Sequence, residues 1–158
     1  MEENEKNNLN ASRYKNMNSV YIDTNVFMYL SDKKSPFYFI SSRLIKYLKK
    51  QRILVFTSVE TIQEIIHFSQ NTKQLAYGIK TSLKTLETVD KLLEINQKMI
   101  LNYLKLVGNY KNVESRDLLH LTVSMENNIN LIISYDKDFK KFKEIKAFTP
   151  KEFLAKMT

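Results

Sequence analysis

The sequence predicts one α/β domain of three layers, with helices on both faces of a sheet. Three observations point there. Short apolar runs of strand type, Ser19 to Ile22, Ile53 to Phe56 and Asn130 to Ser134, alternate with stretches of helical periodicity. The 158 residues, 43% of them hydrophobic, make up the length of a single domain, and a chain of that size buries roughly 70% of its extended surface. With 2 Gly and 2 Pro, the chain is too poor in turn residues for a collagen-like, Pro-rich or turn-dense all-β protein.

Residues 1–18 are mostly Asn, Glu and Lys with little to bury, so a disordered leader is expected there, followed by one domain over 19–158. Ser19 to Ile22 is β-prone and stops at Asp23-Thr24-Asn25, ahead of the apolar stretch Val26 to Leu30, which reads as a strand feeding a helix. Phe37 to Lys50 places Phe37, Ile40, Leu44 and Leu48 on one helical face and Arg43, Lys46, Lys49 and Lys50 on the other. Ile53 to Phe56 reads as a buried strand. Thr57-Ser58-Val59-Glu60 matches a capping box opening a helix to about Phe68. Gln74 to Thr85 and Gln97 to Val107 have helical spacing, and helix and strand readings compete between them, from Leu86 to Ile95. Ser115 is placed to cap a helix from Arg116 to about Glu126, ended by Asn127-Asn128, and the apolar run to Ser134 follows as a strand. Thr149-Pro150-Lys151-Glu152 sets a cap, a proline at the first helical position and a glutamate behind it, starting a terminal helix.

Charge and composition narrow the function. With Cys 0 there is no disulfide, thiolate zinc site, iron–sulfur cluster or cysteine nucleophile. A formal charge of +8 favours polyanionic partners, nucleic acid or an anionic membrane surface. Lys33 to Arg52 holds seven Lys or Arg and no acid, and Lys137 to Thr158 holds seven Lys against three acids, so the remainder of the chain is net acidic. Lys33, Lys34, Arg43, Lys46, Arg116, Lys137 and Lys140 are the candidates for phosphate contacts, while Phe37, Tyr38, Phe39 and Tyr47 can stack on unpaired bases. No apolar run approaches the ~20 residues of a membrane span, and a protein of the cytoplasm without membrane association is expected.

In layered α/β folds ligands collect at the carboxyl ends of the strands. Asp23 follows the first strand directly and Asp136 nearly follows the late one; Glu60 and Glu64 lie in the helix after the second strand, and Asp117 in the first turn of the helix leading to the late strand. Carboxylates forced together raise one another's pKa and call for a hard cation, Mg²⁺ or Mn²⁺. Such a site inside a basic protein suits cleavage of a phosphodiester. Each residue also has an ordinary reading: Asp23 as a helix cap, Glu60 in a capping box, Glu64 as a solvated residue off the apolar stripe, and Asp117 placed favourably against a helix dipole. His120, one turn beyond Asp117, has a structural reading ahead of a catalytic one, and His67 a structural or surface one.

Four segments in this order resemble the PIN domain nucleases. Val20-Tyr21-Ile22-Asp23-Thr24-Asn25-Val26-Phe27 is similar to the opening motif of that family, and Thr57 to Ile66 to its second, where a serine six residues before a glutamate selects Glu64 over Glu60. Ser115 to Leu121 and Ile133 to Phe139 are similar to the third and fourth. The resemblance implies a three-layer α/β/α fold with a central parallel sheet, and an acidic quartet of Asp23, Glu64, Asp117 and Asp136 binding Mg²⁺ or Mn²⁺ for endoribonuclease cleavage. It implies orienting roles for Asn25 and Ser134 and an accessory acid at Asp138, while His120, one turn beyond Asp117, is an accessory candidate by position. It also implies an RNA substrate, a toxin of the VapC type held inactive by an antitoxin partner, and a homodimer. An RNA-processing nuclease that is not a toxin and a non-catalytic RNA- or protein-binding module on the same fold remain open. A phosphotransfer protein fits less well, because Asn25 stands where dehalogenase-like enzymes place a second Asp.

Overall fold

A strand whose alternate side chains are all buried has to be covered on both faces. That condition holds for Ser19–Ile22, where Val20, Tyr21 and Ile22 are fully buried. In the computed structural model, which describes residues 17–157, the elements in chain order are β1 (Ser19–Ile22), α1 (Thr24–Ser31), α2 (Tyr38–Lys50), β2 (Leu54–Ser58), α3 (Val59–Asn71), α4 (Leu75–Thr88) and β3 (Lys91–Leu93). They continue with α5 (Gln97–Asn109), α6 (Ser115–Glu126), β4 (Leu131–Ile133), a 3₁₀ turn (Lys137–Lys141), β5 (Lys146–Phe148) and α7 (Pro150–Met157). The expected leader lies outside the described residues as far as Asn16.

Among the described residues the sheet has five strands in the order β3-β2-β1-β4-β5, and every pairing is parallel. Val20, Ile22, Leu131 and Ile133 pack on one side with Val26, Phe27, Leu44, Leu48 and Phe153, from α1, α2 and α7. Tyr21 and Ile132 point to the other side and meet Met99, Leu106, Leu118 and Leu121, from α5 and α6. The expected three-layer α/β/α arrangement with a central parallel sheet is therefore present. The chain moves outward from β1 through β2 to β3, then returns to the opposite side of β1 for β4 and β5. That reversal opens a crevice above the carboxyl ends of β1 and β4. Among the described residues no helix is long and apolar enough to cross a membrane.

Several element boundaries depart from expectation. The capping box at Thr57 does not form, because β2 runs on to pair Thr57 with Leu92 and Ser58 with Leu93. Thr57 is buried, and its hydroxyl donates 2.8 Å to the Ile22 carbonyl; Ser58 takes the cap position without a side-chain capping bond. Ser115 is the first helical residue, and Glu114 stands at the cap. The ambiguous stretch divides: α4 continues to Thr88, and Asp90 then anchors β3 to β2, receiving the Val55 N–H on Oδ2 at 2.7 Å. The edge strand β5 was not expected. The box at the start of α7 forms as read, with Thr149 N–H on Glu152 at 2.8 Å and Glu152 N–H on the Thr149 hydroxyl at 3.2 Å.

Glycine is scarce, so the left-handed residues that end α2, α3 and α6 are Arg52, Lys73 and Asn128, at φ 57°, 57° and 56°. Each is followed by an amide that reaches back to close the helix, as Ile53 N–H does to Leu48 at 2.9 Å. The glycine that packing does require is Gly78, where α4 crosses α3: a Cβ there would lie 2.2 Å from Ser69 Oγ and 2.4 Å from Ser69 Cβ. Gly78→Ala should therefore destabilise by about 1–3 kcal/mol despite the better helix propensity of alanine. At ~2–4 °C per kcal/mol for a domain of this size, the loss is visible in thermal melts. Adding Ser69→Gly should recover most of it.

Candidate metal centre

The crevice between β1 and β4 is built around one buried carboxylate. Asp23, 5% exposed, ends β1 and caps α1, its Oδ1 accepting the Thr24 N–H at 2.8 Å. Its Oδ2 accepts from the Ser134 hydroxyl at 2.6 Å and from Asn25 Nδ2 at 2.6 Å. Asn25 also donates to Ser134 Oγ at 3.0 Å, while its Oδ1 accepts the Tyr135 N–H at 3.2 Å. The helix-cap reading of Asp23 is present in the structure: one oxygen caps α1, and the other ties β1 to the loop after β4. Burial still holds its pKa above the usual value, with Glu64 adding repulsion, against the opposing pull of His120, Ser134 and the Thr24 amide.

Glu64 arrives from α3. His120 Nε2 lies 2.9 Å from Glu64 Oε2 and 3.6 Å from Asp23 Oδ1, and the Thr24 hydroxyl donates to Glu64 as well. The other imidazole nitrogen, Nδ1, lies 2.6 Å from the Tyr21 hydroxyl, which donates 2.7 Å to Ser58 Oγ. With its own proton given to Ser58, Tyr21 accepts from Nδ1, so both ring nitrogens act as donors and the ring is cationic. Burial opposes that charge, but the neighbouring Tyr21 oxygen, the bond to Glu64 and the charges of Asp23 and Glu64 raise the His120 pKa well above its ordinary value. Burial also penalises the Glu64 carboxylate. The bond and charge of His120, with Thr24 and Arg116, nevertheless hold its pKa below normal.

Asp117 stands half-buried in the first turn of α6, one turn before His120. Burial and the charges of Asp23 and Asp136 push its pKa up to about 7, against the pull of His120. Asp136 is exposed, and its Oδ1 caps the 3₁₀ turn through the Asp138 N–H at 2.8 Å, while its own N–H donates 2.9 Å to Ser134 Oγ. Among the described residues, Asp23, Glu64 and His120 form the group whose ligand atoms lie within 4.8 Å of one another. Asp117 and Asp136 enter through the charge they place on the same crevice. Glu60, one turn before Glu64, belongs to this acidic wall too, its pKa raised by burial and by the Glu64 charge.

Other expected residues lie around this centre. Lys33, Lys34, Arg43, Lys46 and Lys137 are exposed, and Arg116 is half-buried with its charge acting on Glu64 and Glu60. Lys140 pairs with Glu152 at 2.5 Å, and Asp138 with Lys141 at 2.7 Å, so both are held by local partners. Sequence reasoning did not find the bond of His120 to Glu64 or the supporting hydroxyls of Thr24, Thr61 and Tyr21. His120 carried a usable signal, three residues after Asp117 and so on the same helical face. The threonines carried none.

A model of the PIN domain family matches residues 20–145. The chain belongs to the PIN domain family. Over 127 residues this PIN domain is 24% identical to a VapC ribonuclease of Mycobacterium bovis, covering 80% of the present chain and 97% of that protein. Its fold is similar to that of the VapC20 toxin of Mycobacterium tuberculosis, described as cleaving the sarcin–ricin loop, with TM-score 0.67, 14% identity, and 80% and 97% of the two chains covered. It is also similar to VapBC2 of Rickettsia felis, seen bound to a promoter DNA fragment, with TM-score 0.66, 15% identity, and 83% and 98% coverage.

The burial of Asp117 among other carboxylates predicts an unusual pH dependence of stability. Asp117 holds its proton to about pH 7 in the fold, against ~4 when unfolded. Between those values the native state binds the extra proton, so the contribution of Asp117 to stability falls as pH rises through this window. In metal-free protein Asp117→Asn should melt ~2–4 °C higher than wild type at pH 8, a gain of the order of 1 kcal/mol after allowance for solvent screening. The two should converge near pH 4.

Proposed function

We propose that the chain is a metal-dependent endoribonuclease that hydrolyses RNA phosphodiester bonds, acting as the toxin of a toxin–antitoxin pair. The observation that carries this reading is the buried group of Asp23, Glu64 and His120, whose ligand atoms lie within 4.8 Å of one another, with the charges of Asp23 and Asp136 acting on Asp117 beside it. Membership of the PIN domain family and similarity to a VapC ribonuclease support it.

The donor set fits a hard divalent ion: several carboxylate oxygens around the buried group of Asp23, Glu64 and His120. Asp23, Glu64, Asp117 and Asp136 would hold Mg²⁺ or Mn²⁺. Such an ion, when bound, polarises the phosphodiester and lowers the pKa of a water that attacks it. The chain itself supplies orientation. Ser134 and Asn25 fix Asp23 Oδ2, whereas Thr24 and His120 fix Glu64, so both carboxylates are aimed before any ligand arrives. The Asp117 carboxyl can hold or release a proton near neutral pH, and the exposed Lys33, Lys34, Arg43, Lys46 and Lys137 draw in the phosphate backbone. Arg116 and Lys140 belong to the same basic surround, with Asp138 as an accessory acid beside Asp136. The cytoplasm is the compartment that fits an RNA substrate. The partners proposed are a cognate antitoxin and a second copy of the chain, by similarity to the VapBC assemblies. A groove of about 400 Å³ lined by Val59, Ile62, Ile66, Leu86 and Leu92 offers apolar area to a protein.

Calorimetry with Mn²⁺ on wild type and Asp117→Asn, followed by an RNA cleavage assay on the same samples, tests the reading. Wild type should bind and cut; Asp117→Asn should lose at least about tenfold in affinity and more than about 100-fold in cleavage rate. Neither binding nor cutting by pure wild type, free of any partner, would overturn it. Metal-independent RNA binding unchanged in Asp23→Asn would replace it with a non-catalytic binding module.

Metal affinity should also depend on pH in the direction opposite to apo stability. Because Asp117 has to be ionised to ligate, Mn²⁺ affinity should climb by up to about tenfold per pH unit below pH 7 and flatten above it. In Asp117→Asn that slope should shrink. Titrations at pH 5.5, 6.5 and 8 measure it.

A further inference from the structure

Tyr135 lies between Ser134 and Asp136 in the chain, and its N–H is held by Asn25 Oδ1. The ring packs with Phe37 and Tyr29, at centroid distances of 4.6 and 5.1 Å, and those two lie 4.8 Å apart. The Tyr135 hydroxyl donates to the Phe37 carbonyl at 3.3 Å and accepts from Ser41 at 2.8 Å, which fixes the ring plane. This cluster is not sealed in the core. Phe37 is 39% exposed and Phe39, in the same turn, 75% exposed, with Tyr38 against it at 5.4 Å. Two open phenylalanines beside a buried polar centre ask for an apolar, flat ligand.

The charges around the rings specify that ligand further. Lys33 and Lys34 are exposed in the turn that leads into Phe37, Lys137 follows Asp136, and no acid interrupts the chain from Lys33 to Arg52. Rigid aromatic faces, cations for a backbone and carboxylates at the adjoining strand end match the three parts of a nucleotide in a strand being cut. An aliphatic protein segment would use the rings but not the lysines.

We propose that the Tyr29–Phe37–Tyr135 cluster is a stacking platform for an unpaired nucleobase next to the phosphodiester presented to the carboxylates. This rests on the ribonuclease reading above and adds to it the residues that hold the base beside the cut.

The test uses the full chain in EDTA and short single-stranded RNAs carrying 2-aminopurine, with a matched set in which one nucleotide is abasic. Wild type should quench the 2-aminopurine on binding and lose about 5- to 150-fold in affinity for the abasic RNA that removes the stacked base. Phe37→Leu keeps the apolar volume and should show a similar loss with intact RNA. Abasic RNA and Phe37→Leu together should cost little more than either alone. The abasic series needs no change to the protein, so it remains decisive if Phe37→Leu loosens the turn. Cleavage that persists in Mn²⁺ while abasic substitution at every position and Phe37→Leu each leave affinity within twofold would overturn the platform and leave the nuclease standing. The same two null effects together with weakened self-association of Phe37→Leu would assign the rings to a protein surface and equally overturn it. Failure of wild type to bind or cut any RNA would overturn the ribonuclease reading, and the platform with it.

Discussion

A carboxylate buried at the end of a central strand is the constraint on which the rest of this molecule depends. Removing Asp23 from water is expensive unless its oxygens are fully engaged. The chain engages them with the start of α1, through the Thr24 amide and the Asn25 side chain, and with the loop after β4, through Ser134. Those bonds hold the two central strands together where the topology reverses. The Asp23 N–H continues the link, donating 3.1 Å to the Ile133 carbonyl.

The remaining negative charge draws in the two helices that complete the crevice. His120 supplies the buried counter-charge from α6 and contacts both Asp23 and Glu64, which brings α3 and α6 to the same point. Behind it, the hydroxyls of Thr24, Thr57 and Thr61 run from the Ile22 carbonyl to Glu64, so the polar groups at the sheet end satisfy one another. The pattern is that of a site assembled against its own electrostatics. Asp117 and Glu60 both carry raised pKa values because burial penalises their charge and neighbouring carboxylates repel it. At 14% identity to the VapC20 toxin, the PIN domain keeps a similar fold, with TM-score 0.67.

Much of this was legible before any coordinates. The runs at Val20 to Ile22 and Leu131 to Ile133 are continuous apolar segments, and such runs belong to strands covered on both faces. Boundaries were harder where local and tertiary preferences compete. Thr57 reads as a cap because threonine favours that position, but pairing with Leu92 pulls it into the strand, and its hydroxyl finds the Ile22 carbonyl instead. The strand Lys146–Phe148 has three residues and owes its existence to β4 beside it, so nothing local could announce it.

For the site, the sequence by itself determined which acids stand at strand ends and helix starts, because strand-then-Asp and helical spacing are properties of neighbouring residues. It also determined that the surroundings are basic and that chemistry by thiols is absent. Only the tertiary structure decided which groups share atoms. The bond between His120 and Glu64 spans 56 positions of the chain, and that between Ser134 and Asp23 spans 111. Contacts of that reach are set by how layers pack rather than by any local pattern. The folded structure therefore made a counter-ion of a histidine that reads as structural, and made one oxygen of Asp23 a cap while the other holds the late strand in place.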